Sequence, residues 1–164
     1  MNVQIRSCVQ IAAAIVALTQ VTHAAEFLWQ HGAIRLGRLS VPAGFKVENY
    51  DYREGVVTTL RYKDGSRITL QSGDMYRLPL FRGDDYPLIS SSDLDSKTVR
   101  TRRSANGQWC WREDNYKRQK TTGKQTSIYE VFPPNVGYFK VPVVRRSEFD
   151  HALDSFVRES DKTR

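Results

Sequence analysis

Residues 55–73, GVVTTLRYKDGSRITLQSG, carry the clearest structural signal in the chain. Two runs rich in β-branched residues flank Asp64-Gly65, a dipeptide that marks a tight hairpin. A two-residue turn would set Leu60 and Tyr62 opposite Thr69 and Arg67, on the other face from Ile68 and Leu70. A three-residue loop, Lys63 to Gly65, with Gly65 left-handed in a bulge, instead pairs Leu60 with Ile68 and Thr58 with Leu70. One face then reads Val56, Thr58, Leu60, Tyr62, Ser66, Ile68 and Leu70. A one-residue slip turns every side chain over, so the apolar match selects the bulged turn.

Upstream, AIRLGRLSVPAGF (33–45) alternates apolar residues with arginine, which predicts a strand over Ala33–Leu39 and a turn at Pro42–Gly44. The first residues have the layout of a secretory signal peptide: Arg6, an apolar run from Cys8 to Leu18, then small residues at Thr22-His23-Ala24. The run is shorter than the ~20 residues of a membrane-spanning helix. Residues 1–24 are therefore expected to be removed, leaving residues 25–164 as a single periplasmic or secreted domain without a transmembrane segment. Cys110 is then the mature chain's only cysteine, with no intramolecular disulfide and no zinc pattern around it.

Downstream, MYRLPLFRGDDYPLISSSDLDSK (75–97) lacks sustained periodicity and reads as a long surface loop with short extended pieces. QTSIYEVFPPNVGYFKVPVV (125–144) reads as strand, turn, strand: Ser127–Phe132, Pro133-Pro134-Asn135, Gly137–Val144. In RRSEFDHALDSFVRES (145–160) the period changes. Phe149, Ala152, Leu153, Phe156 and Val157 share one helical face, predicting a helix over Glu148–Glu159 capped by Ser147. Hairpins closed by an amphipathic helix make an α+β domain, an antiparallel sheet with the C-terminal helix packed on it. The order VPAGF, YKDGS hairpin and EFDHALDSF resembles small bacterial envelope domains of the PsbP-like kind. That resemblance implies a sheet-and-helix sandwich with a binding or accessory role, and it carries no catalytic residue onto this chain.

Charge is concentrated in one place. Lys97–Lys124 holds nine Lys or Arg against Glu113 and Asp114, while the flanking mature segments are close to neutral. Within it, TVRTRRSANGQWCWRED (98–114) forms a second hairpin about Asn106-Gly107, with two registers open. The two-residue turn pairs Arg102 with Trp111 and gathers Arg100, Arg102, Trp109, Trp111 and Glu113 on one recognition face. The three-residue loop puts the tryptophans with Val99 and Thr101, and Arg100, Arg102, Cys110 and Arg112 on the other side. Apolar matching favours the second, making Trp109 and Trp111 core. Arg100 and Arg102 share a face either way, joined as a docking patch by Arg112, Lys117, Arg118 and Lys120.

These features point to a non-enzymatic binding protein that meets an acidic protein or an anionic cell-envelope component. The alternative is an accessory subunit of an envelope assembly. A hydrolase using Asp84, Asp85, Glu113 or Asp114 ranks below both, because no nucleophile, metal or phosphate-loop motif accompanies those carboxylates. Cys110, between two tryptophans and without a placed histidine base, reads as a quiet thiol. No cofactor, metal or nucleic acid is expected.

Overall fold

A computed structural model describes residues 24–52, 55–73, 87–117 and 134–158. Seven antiparallel strands form the main sheet in the order β3(Phe45–Tyr52), β4(Gly55–Tyr62), β5(Arg67–Gly73), β9(Asn135–Pro142), β8(Trp109–Tyr116), β7(Lys97–Arg103), β6(Leu88–Asp93). A smaller sheet has the order β1(Ala24–His31), β2(Ile34–Pro42), β10(Val157–Arg158). A 3-10 turn at Val143–Arg145 leads into α1(Arg146–Asp154). This is the expected α+β arrangement, with the helix packed on the sheet. Of the stretch 75–97, read as a loop with short extended pieces, residues 75–86 lie outside the described residues, and Leu88–Asp93 is extended as β6, paired with β7. The strand predicted over Ser127–Phe132 lies outside the described residues.

The first hairpin takes the bulged register. Leu60 faces Ile68 and Thr58 faces Leu70, and Gly65 has φ +85°. Val56, Thr58, Leu60, Tyr62, Ser66, Ile68 and Leu70 are all buried. On β9 a second bulge, with Lys140 at φ +49°, shifts the pairing with β8 between Cys110 and Arg112. The extra residue lets both Tyr138 and Val141 reach the core although they are three positions apart.

One hydrophobic cluster joins both sheets and the helix, running from Trp29, Leu36, Leu39 and Val41 through Leu60, Ile68, Leu70 and Val136 to Phe149 and Leu153. Trp29 Nε1 donates to Thr58 Oγ1 across the two sheets (3.1 Å), and Tyr62 Oη donates to the Pro42 carbonyl (3.0 Å). Phe149 sits edge-on to Tyr62 and Tyr138, with ring centroids 5.2 and 5.8 Å away.

The helix is shorter than its apolar period predicts. It starts at Arg146, without a side-chain cap from Ser147, and ends at Asp154. Ser155 Oγ donates to the Ala152 carbonyl (2.7 Å) and accepts from the Ser40 amide (2.8 Å). Phe156 stays buried, against Trp29 and Tyr116, but Val157 has left the helix for β10 and is 49% exposed. Gly37 makes this crossing possible. A Cβ there would lie 2.6 Å from the Phe156 ring and 2.9 Å from the Val157 carbonyl oxygen.

Candidate functional site

The basic hairpin is β7–β8, and its register follows the turn rather than apolar matching. Arg102 faces Trp111 and Arg100 faces Glu113, which overturns the expectation that the tryptophans share a face with Val99 and Thr101. The loop explains the outcome. Gly107 N donates to the Ser104 carbonyl (2.9 Å) and Ser104 N to the Trp109 carbonyl (3.0 Å). Trp109 N reaches Ser104 Oγ (3.1 Å) and Gln108 N reaches Asn106 Oδ1 (3.1 Å). Gly107 supplies the left-handed residue at φ +68°. Trp111 is nonetheless only 7% exposed, buried on the outer face of the sheet with Phe139 and apart from the main cluster. Trp109 is half-buried there, with Lys140 Nζ 5.5 Å from its ring centroid.

The inner face of β8 carries charge into the interior. Arg112 is 7% exposed, so it does not belong to a docking surface. Its Nε and Nη2 donate to Asp114 Oδ1 and Oδ2 (2.8 and 2.9 Å). From α1, Asp154 Oδ1 accepts from Nη2 (2.5 Å) and Asp150 Oδ1 from Nη1 (3.2 Å). Lys97 also pairs with Asp114, and Tyr138 Oη donates to Asp150 (3.0 Å). Burial opposes the charge on Arg112, but its bonds to Asp114 and Asp154 outweigh that cost and hold its pKa above the ordinary arginine value. The bond from Arg112 likewise holds Asp154 below the usual carboxylate range. These ions clamp the helix to the sheet.

The remaining candidates divide plainly. Lys117 is exposed and pairs with Asp93 at 3.6 Å. Arg118 and Lys120 lie outside the described residues, as do Asp84 and Asp85. Arg100 is exposed, Arg102 half-buried, and the two share the outer face. Glu113 and Asp114 point to opposite faces of β8, so these two carboxylates do not form an acid–base pair. Burial raises the pKa of Glu113, against the opposing charge of Arg100. Cys110 is buried and donates to the Val141 carbonyl (3.4 Å). Burial pushes its thiol pKa up, although the Tyr138 hydroxyl and the charges of Arg146 and Arg103 pull the other way.

Sequence reasoning missed two residues here. Arg103 and Arg146 line a cleft of about 240 Å³ with Ile89, Ser90, Thr101, Arg102, Cys110 and Trp111. Arg103 was legible as part of the charge run. Arg146 was not, because a helix start 36 residues beyond Cys110 in sequence comes over the sheet only through tertiary packing. No helix among the described residues is long and apolar enough to cross a membrane. No family model, no curated protein and no solved structure matches the chain.

Proposed function

We propose that the protein is a non-enzymatic binding protein of the bacterial cell envelope, periplasmic or secreted, which docks an anionic or acidic partner on the β7–β8 hairpin. The observation that carries this reading is how the hairpin's cations are used. Lys97, Arg112 and Lys117 are each engaged by carboxylates. Arg100 and Arg103 are exposed and make no salt bridge among the described residues. Exposed guanidinium groups of this kind offer charge-assisted, bidentate hydrogen bonds to an incoming anion. The placement in the envelope rests on the N-terminal sequence.

The test is capture from envelope extract by the full protein and by an Arg100→Ser/Arg103→Ser variant, each washed at rising salt. A discrete acidic partner that elutes with salt from the parent and is not held by the variant supports the reading. Equal capture by both overturns it. Co-purification with bulk envelope material, independent of the arginines, favours the accessory-subunit alternative.

A further inference from the structure

We propose that the cleft between the turn end of the β7–β8 hairpin and the start of α1 is a binding site for a phosphate monoester group, with Arg103 and Arg146 as its charge partners. This inference rests on the docking reading and names the group that a partner presents there. The register puts Ser90 opposite Thr101, and Arg103 opposite Cys110, so these four side chains share the inner face of the sheet. Arg146 enters from the first turn of α1, its Nε held by Asp150 Oδ2 (3.1 Å). No acidic side chain lines the cleft, and Ile89 gives it an apolar lip.

The donor set selects the ligand. One guanidinium is enough to engage both oxygens of a carboxylate. Two guanidinium groups and two hydroxyls on the residues lining one cleft exceed what a two-oxygen monoanion can use. They match a group with three terminal oxygens and close to two negative charges. Cys110 lines the cleft with its thiol engaged by the Val141 carbonyl, so the role assigned to the cleft is binding. Three such oxygens are offered both by free phosphate and by the monoester headgroup of a lipid, and the chemistry of recognition is the same.

Calorimetric titration of the full protein with inorganic phosphate, at constant ionic strength, tests the site. Saturable binding is expected, and sodium acetate should not compete. Arg103→Ser should weaken phosphate binding about tenfold or more, the loss of a charged hydrogen-bond partner. Arg100→Ser, on the opposite face, should leave it unchanged. Arg146→Ser also severs the contact with Asp150, so Arg103, which makes no ion pair among the described residues, is the deciding position. Absence of saturable binding, or equal losses at Arg100 and Arg103, overturns the proposal.

A second arm compares vesicles bearing phosphatidic acid with vesicles bearing phosphatidylglycerol at matched charge. Preference for the monoester, displaced by inorganic phosphate, assigns a lipid source. Phosphate binding without vesicle preference assigns a soluble one. If phosphate fails to bind while salt-sensitive capture still depends on Arg100, the cleft assignment falls and the docking reading stands. Phosphate binding with capture indifferent to Arg100 has the reverse meaning.

Discussion

Arg112 and its three carboxylates show how much a single interior charge depends on its company. Replacing it with Met leaves Asp114 buried beside Lys97 alone, and removal of one member of such a pair costs about 3–5 kcal/mol. Urea denaturation should show the loss, and Arg112→Met combined with Asp114→Leu should recover part of it. Asp154 makes the same network sensitive to acid. Its folded pKa is depressed, so its contribution is present above the unfolded value of ~3.9 and fades as pH falls through the folded value. Asp154→Asn should therefore be less stable than the parent at neutral pH, with the difference closing below about pH 4, as urea midpoints at both pH values would show. Gly37 is a steric case. Gly37→Ala forces its Cβ against the Phe156 ring and the Val157 carbonyl, an overpacking expected to cost about 1–3 kcal/mol in the same assay.

Among the elements, the two hairpins teach opposite lessons. In β4–β5 both strands have an apolar inner face, so matching Leu60 with Ile68 identifies the register from sequence. In β7–β8 the inner face carries Arg112 and Asp114, paired with each other, and Arg112 finds further partners on a helix far along the chain. Apolar matching therefore has nothing correct to match, and the Ser104–Gln108 turn decides. The helix end fails for a related reason. Phe149, Ala152, Leu153, Phe156 and Val157 keep a helical period, but Ser155 redirects the chain into β10. Phe156→Ala should cost about 3–5 kcal/mol as a buried aromatic truncation. Val157→Ala should change stability by no more than about 0.5 kcal/mol. A continuous amphipathic helix would make both costly, so thermal denaturation of the pair separates the two geometries.

At the scale of the whole molecule, Trp29, Tyr62, Phe149 and Phe156 tie two sheets and a helix into one interior. Loss of fluorescence from the native tryptophans and loss of far-ultraviolet ellipticity should then coincide in a single unfolding transition. The Arg100→Ser/Arg103→Ser variant should keep that transition within about 0.5 kcal/mol of the parent, because exposed charges add little to stability. Its effect belongs to binding, where it should flatten the salt dependence of partner capture.

Local chemistry alone determined the antiparallel character of the chain, the bulged β4–β5 turn, the apolar face of α1 and the concentration of charge in one hairpin. Each of these follows from side-chain period, turn residues or neighbours a few positions away. Tertiary structure decided which cations face outward. Arg100 and Arg112 look alike in sequence, yet the register sends Arg100 to the outer face and Arg112 to the inner one, where Asp150 and Asp154 of the helix meet it. The cleft at Arg103 and Arg146 belongs to the same level. Its walls lie on strands and a helix that meet only when the shared core closes, and no period within either segment encodes that meeting.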